Sequence, residues 1–270
     1  MTVPNFEATV TVTEASEWDF SDVELFAACV EALKAERPDL ITQPASFRYR
    51  TSIPRQVGLS GSSALIIAAM RALATRRNTR WDRVALARIA LAVETDILGW
   101  AAGPQDRVVQ SYEGLLDMDF ARPWNPASYV AQDLALLPPL FVAWNQQMGQ
   151  PSAVEHSRVR ERWLAGDPAV IEAMTAFAQL ATTGRASLDD RTAASAWPSL
   201  LEEAFELRSR IWNITSVDTA LVETGMALGA GVAFAGSGGA VVGCPRDANC
   251  LDKFAHAYDT IGAGFLVLSS

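Results

Sequence analysis

The chain has 270 residues, half of which are hydrophobic, and its formal net charge is −9 at pH 7. That length can build one large domain or two smaller ones, and the acidic balance argues against nucleic-acid binding, which usually needs a basic surface. The three cysteines, Cys29, Cys244 and Cys250, lack CxxC spacing, which argues against a disulfide framework or a structural zinc site.

In the first half of the chain, predicted strands and helices surround a segment rich in glycine and serine. Ser21 and Asp22 are expected to cap the first helix, and Pro38 is expected to end it. Asp82 and Gly99 are typical of the start and the end of a later helix. The residue pattern predicts strands over 6–13, 45–53 and part of 112–120, and helices over 23–35, 64–70 and 81–98.

The second half is rich in helices and then in glycine, over 229–243. Because the strands are dispersed among helices without a regular βαβ alternation, we predict an α+β fold. Pro138 and Pro139 mark the predicted boundary between two lobes, 1–137 and 138–270. The pattern predicts strands over 140–144 and 263–268, and helices over 154–165, 168–182, 197–212, 216–228 and 248–258.

The sequence lacks the marks of a membrane or secreted protein. Residues 1–12 have neither the basic start nor the long apolar run of a signal peptide. No uncharged apolar stretch reaches the roughly 18 residues of a candidate membrane-spanning helix. We therefore expect a cytoplasmic protein with no membrane partner, and the acidic charge predicts no nucleic-acid partner.

The segment 54–63 joins the second predicted strand to an apolar helix. Gly58 and Gly61 lack Cβ atoms, so the backbone can turn tightly and a ligand can approach it closely. Ser62 and Ser63 fall at the start of the helix, where free N–H groups and the positive end of the helix dipole favour an anion such as phosphate. The segment is neither a Walker A loop nor a GxGxxG fingerprint. The alternative is a Gly-Ser turn that caps the helix and binds no ligand.

Residues 54–64, with the sequence PRQVGLSGSSA, resemble the central motif of the GHMP kinases, whose common form is GLGSSA. The extra Ser60 and the preceding Ile53 resemble the glucuronokinases within that family. The resemblance implies an ATP-dependent kinase with a two-lobed α+β fold: an N-terminal lobe like domain 2 of ribosomal protein S5 and a ferredoxin-like C-terminal lobe. The ATP-binding residues that it implies are Pro54, Gln56, Gly58, Leu59, Ser60, Gly61, Ser62, Ser63 and Ala64.

Glu94 lies inside an apolar run of a predicted helix. A buried carboxylate needs a partner, and Mg²⁺ prefers hard oxygen ligands from one or two carboxylates together with phosphates. We therefore predict that Glu94 is a Mg²⁺ ligand, assisted by Ser62. The alternative is that Glu94 faces solvent, as we expect for Asp96.

Asp106 follows a turn that contains Gly103 and Pro104. In GHMP kinases such as galactokinase and mevalonate kinase, an aspartate after a similar turn lies beside the substrate hydroxyl. The resemblance implies that Asp106 is the catalytic residue, either as general base or by orienting that hydroxyl toward the γ-phosphate. The alternative is an aspartate that caps its own turn.

A second glycine-rich turn lies near the C-terminus. Its residues Gly236, Ser237, Gly238 and Gly239 resemble the third GHMP motif, which packs against the phosphate loop and helps to shape the active site. The family often has Lys and Thr just before this motif, at positions where this chain has Ala233 and Ala235. The alternative is a plain strand-turn-strand hairpin.

Arg208 and Arg210 lie in a predicted helix that resembles an arginine-rich helix of the glucuronokinases. An arginine fork suits a carboxylate, which it can bind through two parallel hydrogen bonds, and glucuronic acid carries a carboxylate. We therefore treat both arginines as candidate substrate-binding residues. A solvated helix face explains them about as well.

The start of the chain departs from the family pattern. The resemblance implies a first strand and a substrate-contacting motif that have no counterpart here, so we expect either a misplaced start or a truncated product with an exposed sheet edge. The resemblance also implies a small-molecule substrate, and we expect a monomer or homodimer. The leading hypothesis is a sugar kinase dependent on ATP and Mg²⁺ that converts a uronic acid, first of all glucuronic acid, to its 1-phosphate. The alternatives are a kinase for galactose, heptose or a mevalonate-like alcohol, and a non-catalytic nucleotide- or metabolite-binding protein.

Overall fold

The computed structural model describes residues 6–146, 153–189 and 195–268. It forms two compact units. The first contains the described parts of Met1–Ile53 and Ser60–Gln132, and the second contains Pro54–Leu59 and the described parts of Asp133–Ser270. Helices and antiparallel strands are mixed along the chain, which confirms the α+β prediction. The division into lobes at residue 138 stays a prediction, and residues 1–5 lie outside the described residues.

The first unit begins with two antiparallel strands, β1 (Ala8–Glu14) and β2 (Ala45–Thr51), which pair from Ala8 with Thr51 to Glu14 with Ala45. Between them lies α1 (Glu24–Glu36), and α2 (Gly61–Arg76) follows. Both strands and both helices were predicted. Alternation in β1 turns Val10 toward a core that is shared with Phe26, Phe47 and Met70, so burial of one face of the β1–β2 pair explains its register.

The predicted cap of α1 is wrong. Ser21 and Asp22 both adopt left-handed backbone angles, with φ of 52° and 57°, and the residue at the cap position is Val23, which makes no side-chain cap hydrogen bond. The Ser21 hydroxyl donates instead to the carbonyl oxygen of Phe47. A contact with a residue distant in sequence therefore replaced the local one.

The predicted helix over 81–98 is confirmed, but it changes character near its end. It consists of α3 (Arg83–Ala92), whose N–H at Ala85 donates to the Asp82 side chain at 2.9 Å, and a π-helical turn, Val93–Ile97. Gly99, with φ of 68°, follows the turn. Such wide turns hold one extra residue and often occur at functional sites.

One α-helix and one strand of the first unit were not predicted. These are α4 (Pro104–Tyr112), which begins with proline at its first position after Gly103, and β4 (Tyr129–Gln132), which pairs antiparallel with the expected β3 (Leu115–Met118). Pro104 suits the first helical position because it lacks the N–H that the helix start leaves unpaired.

The second unit has a four-stranded antiparallel sheet in the order β6-β7-β5-β8. Helices connect β5 to β6 and β7 to β8, so the order is that of a ferredoxin-like fold with extra helices in its first crossover. The predicted ferredoxin-like lobe is confirmed. The elements are β5 (Leu140–Asn145), α5 (Ala153–Leu164), α6 (Pro168–Asp189), α7 (Trp197–Ile211), α8 (Ser216–Ala227), β6 (Ala230–Phe234), β7 (Ala240–Pro245), α9 (Leu251–Thr260) and β8 (Ala263–Leu268).

An aromatic cluster fills the space between this sheet and α9. The Phe141 ring lies 5.0 Å from that of Phe254 and 5.6 Å from that of Tyr258. The Tyr258 hydroxyl donates to the carbonyl oxygen of Leu221 at 2.9 Å, as a buried tyrosine requires. Among the described residues, no helix is both long and apolar enough to cross a membrane.

All three cysteines are free thiols. Cys29 packs in the core of the first unit, as predicted, and burial raises the pKa of its thiol well above the ordinary range. Burial also raises the pKa of Cys244 to about 11. The thiolate is the reactive form of cysteine. Because a raised pKa keeps both thiols protonated at neutral pH, these side chains act as packing residues.

Candidate active site

In the first unit, α2 begins at Gly61, directly after Ser60, which has a left-handed φ of 58°. The carbonyl oxygen of Ser60 accepts hydrogen bonds from Ser63 Oγ and from Gln110 Nε2, both at 3.0 Å. Gln110 comes from α4, so this helix helps to fix the bend that precedes α2. As in any α-helix, the first N–H groups of α2 have no acceptor within their own helix, and anion binding there stays a prediction.

Ser62 connects the start of α2 to the π-helical turn. Its hydroxyl donates to Glu94 Oε1 at 2.8 Å, and the Glu94 side chain is only 2% exposed. Glu94 is therefore buried and hydrogen-bonded rather than directed into solvent, whereas Asp96 is exposed, as expected. Because Ser62 donates this bond, the lone pairs of its oxygen stay available to a further partner.

Arg107 is the partner of Glu94 that the sequence reading missed. Its Nε donates to Glu94 Oε2 at 2.6 Å, and its Nη2 donates to the same oxygen. Its Nη1 donates to the carbonyl oxygen of Gly103 at 3.0 Å. With both side chains almost fully buried, this ion pair compensates two charges that would otherwise be costly to remove from water.

Asp106 precedes Arg107 in the first turn of α4. Its side chain is 41% exposed, and its Oδ2 accepts a hydrogen bond from Arg107 Nη1 at 3.3 Å. No side chain caps α4, so the predicted alternative, an aspartate that caps its own turn, does not describe Asp106. The structure thus joins Ser62, Glu94, Arg107 and Asp106 in one continuous chain of hydrogen bonds.

In the second unit, Val57 and Gly58 of the segment Pro54–Leu59 contact the C-terminal glycine turn. Gly58 has a φ of 72°, and a Cβ atom there would lie 2.7 Å from the carbonyl oxygen of Gly238. A Cβ atom at Gly236 would overlap the carbonyl oxygen of Gly58. Only glycine permits so close an approach of two backbones. The turn between β6 and β7 is therefore a hairpin that also packs on the loop.

Two side chains hold this glycine turn from opposite ends. Arg208 Nη2 donates to the carbonyl oxygen of Gly236 at 2.8 Å, and the N–H of Gly239 donates to Asp218 Oδ1 at 2.7 Å. Asp218 is buried, and its Oδ2 accepts from Thr215 Oγ1 at 2.8 Å. Asp218 was missed in the sequence, where its spacing from Thr215 indicates no more than a helix cap.

The structure separates the two arginines that were predicted to bind substrate. Arg208 is half-buried, its guanidinium lies 4.4 Å from the centroid of the Trp212 ring, and burial lowers its pKa. Arg210 is exposed. Residues two apart on a helix do not face each other, so only Arg208 lies against the glycine turn.

In the described part of the chain, no three His, Cys, Asp or Glu side chains are grouped so that they could hold a metal ion by themselves. Glu94 and Ser62 do offer two hard oxygen ligands side by side. That donor set fits Mg²⁺, which is usually held by one or two protein ligands while substrate phosphates and water supply the rest.

Residues 24–114 match the family model for the GHMP kinases N terminal domain. This part of the chain is a GHMP kinase N-terminal domain. The GHMP kinase domain match contains Ser62, Glu94, Asp106 and Arg107, and therefore the whole chain of hydrogen bonds in the first unit.

The chain is 39% identical over 211 residues to glucuronokinase 1 of Arabidopsis thaliana, an alignment that covers 74% of the chain and 58% of that relative. The chain thus spans less than two thirds of the relative's length. Its fold is similar to that of Methanococcus jannaschii mevalonate kinase, with a TM-score of 0.72 and 16% identity over 96% of this chain and 87% of the other. For Lactococcus lactis galactokinase in complex with galactose, the TM-score is 0.71 and the identity is 15%, over 97% of this chain and 85% of the galactokinase. These likenesses confirm the predicted GHMP kinase fold.

Proposed function

We propose that this protein transfers the γ-phosphoryl group of ATP to a hydroxyl of a small molecule, and that the preferred acceptor is the anomeric hydroxyl of glucuronic acid. The observation that carries the proposal is the chain of hydrogen bonds from Ser62 through Glu94 and Arg107 to Asp106. It links the start of α2, where phosphate would bind, to an exposed carboxylate. The likeness to Arabidopsis glucuronokinase 1 supports the choice of acceptor.

The nucleotide phosphates would be bound by residues 54–64, through backbone N–H groups and the positive end of the α2 dipole. Glu94 and Ser62 would hold Mg²⁺, which when bound neutralises the charge on the β- and γ-phosphate oxygens. The protein's own contribution is to keep these two oxygen ligands side by side at 2.8 Å. Positioning of this kind and electrostatic stabilisation are the main sources of catalysis in phosphoryl transfer.

Asp106 would accept the proton of the attacking hydroxyl or orient that hydroxyl. Its exposure of 41% allows a substrate to reach it, and the hydrogen bond from Arg107 engages Oδ2 only, which leaves Oδ1 for the hydroxyl. A base must lie within hydrogen-bond reach of the proton that it removes. An exposed carboxylate that is anchored through one oxygen could offer its other oxygen to that proton.

The carboxylate of a uronic acid would be recognised by arginine. Arg208 uses one N–H group in its hydrogen bond to Gly236, and a guanidinium has five N–H donors. Its stacking on Trp212 fixes the plane of the guanidinium, which favours planar recognition of a carboxylate. Arg210, exposed on the same helix, is the weaker candidate.

The proposed function predicts release of ADP that depends on the acceptor. We expect turnover with glucuronic acid to exceed that with galactose, mevalonate and a heptose phosphate, and we expect ³¹P NMR to show a phosphate on the anomeric oxygen of the product. Turnover with another acceptor alone would replace the proposed substrate. If ATP bound while no acceptor stimulated ADP release, the alternative of a non-catalytic nucleotide-binding protein would hold.

Two loop glycines are expected to respond differently to alanine. Gly58→Ala should lower the free energy of unfolding by at least about 1–2 kcal/mol, because its positive φ and its contact with Gly238 exclude a side chain. Gly61→Ala is the matched control for stability, since a Cβ atom there would make only ordinary contacts with the Ile53 side chain, 3.6 Å from Cγ2 and 4.0 Å from Cβ. Gly61→Ala should instead weaken ATP binding, because a side chain at the proposed phosphate site limits how closely a ligand can approach the backbone.

Urea unfolding and calorimetric titration with ATP would check both effects. A Gly58→Ala protein as stable as the parent would contradict the packing role of Gly58. Undiminished ATP affinity in Gly61→Ala would contradict the placement of phosphate at the start of α2.

A further inference from the structure

Arg107 makes more contacts than an ion-pair partner needs. The side chain is 7% exposed, yet Nε and Nη2 donate to Glu94, while Nη1 donates both to the Gly103 carbonyl and to Asp106. A single planar guanidinium is thereby fixed against three different groups. Since a planar fork loses little freedom for each bond formed, its position, and that of Glu94, is tightly defined.

The bonds to Glu94 are distributed unequally between its two oxygens. Oε2 accepts both bonds from Arg107, whereas Oε1 accepts one bond from Ser62. Each carboxylate oxygen has about two lone-pair sites, so Oε2 is saturated and Oε1 has one site left. A cation can therefore approach Glu94 through Oε1 alone.

Ligation through one oxygen favours some cations over others. Mg²⁺ is small and octahedral and keeps several waters, whereas Ca²⁺ takes more ligands and often binds a carboxylate through both oxygens. We propose that Arg107 is a positioning residue that restricts Glu94 to one-oxygen metal binding and so favours Mg²⁺ over Ca²⁺. This inference rests on the proposed function, in which Glu94 and Ser62 hold the metal ion.

The test measures metal binding and does not depend on turnover. Mn²⁺ bound to the full chain with a non-hydrolysable ATP analogue is followed by electron paramagnetic resonance and displaced with Mg²⁺ or Ca²⁺. In Arg107→Gln we expect the ratio of the apparent Ca²⁺ and Mg²⁺ dissociation constants to fall about tenfold, the size of effect that a metal ligand's hydrogen-bond partner commonly has. The nucleotide's own affinity for the two ions is the same in every variant and cancels.

Two further variants separate the effect of the Arg107 hydrogen bonds from the effects of its charge and of its contribution to folding. Arg107→Lys keeps the positive charge but donates from one atom, so it should fold and still lower the ratio. Arg88→Gln is the matched control, because Arg88 forms a two-bond pair with Glu36 on the exposed surface of the same unit; its ratio should equal that of the parent.

The three variants decide whether the position of Arg107 sets the preference for Mg²⁺ over Ca²⁺. An unchanged ratio in Arg107→Gln would overturn the inference, as would a fall in Arg107→Gln with none in Arg107→Lys, which would show that charge alone acts. If Arg107→Gln does not fold, the lysine variant decides in the same way. Mn²⁺ binding that is insensitive to Glu94→Gln would instead overturn the metal assignment of the proposed function.

Discussion

Replacing Asp106 with Asn is expected to lower kcat by about 10²- to 10⁴-fold, the usual contribution of a general base, while ATP binds with unchanged affinity. The substitution keeps the shape of the side chain and an oxygen that can accept the hydrogen bond from Arg107. It removes the charge and the ability to take up a proton. Steady-state ADP release together with calorimetric ATP binding would measure both effects.

Asp96→Asn is the matched control for this prediction. Asp96 is also an exposed aspartate of the first unit, and it accepts a hydrogen bond from the neighbouring Thr95 hydroxyl at 2.7 Å. The kcat of the Asp96→Asn protein should stay within about twofold of that of the parent, since isolated surface changes have small effects. Full turnover in Asp106→Asn would remove Asp106 from the catalytic role.

Replacing Glu94 with Ala should lower the free energy of unfolding by about 3–5 kcal/mol, because it leaves the buried Arg107 guanidinium without its counter-charge. It should also abolish the Mg²⁺ dependence of nucleotide binding, since only Ser62 would remain as a protein ligand. Urea unfolding followed by circular dichroism would measure the stability effect.

The exposed pair of Glu36 and Arg88 provides the comparison. These side chains are 40% and 41% exposed, and Glu36→Ala should cost only about 0–1 kcal/mol. Stability should largely return in the double variant Glu94→Ala, Arg107→Met, which has no unpaired charge. Equal costs for Glu94→Ala and Glu36→Ala would contradict the importance of burial for the Glu94–Arg107 pair.

Most elements of the fold could be predicted from the sequence because their residue patterns are strong. The alternation in β1 is typical of a half-buried strand, and the apolar run in α2 after a glycine-rich turn favours a buried helix. By contrast, α4 is a short helix of mixed polarity with two adjacent valines, a pattern compatible with a strand. The cap of α1 was wrong because Ser21 bonds to β2, a contact that no local rule contains.

The candidate site was predictable where a residue type is unusual for its surroundings. Glu94 drew attention as a carboxylate in an apolar run, and the structure shows it buried. Arg107 and Asp218 gave no such signal, because an arginine or aspartate in a polar segment is ordinary. Their importance comes from tertiary contacts across 13 and 21 residues of sequence. The sequence signal that points to Arg107 is indirect: a buried Glu94 requires a positively charged partner, and Arg107 is an arginine nearby in the chain.

The π-helical turn Val93–Ile97 has a consequence for how this region can vary among related chains. The extra residue of such a turn sets the rotational phase in which Glu94 meets Ser62 and Arg107. Loss of one residue there would restore the ordinary helical repeat and rotate the following positions by about 100°. Exposed positions of the turn, such as Asp96, can therefore accept substitution, whereas the length of the turn cannot change.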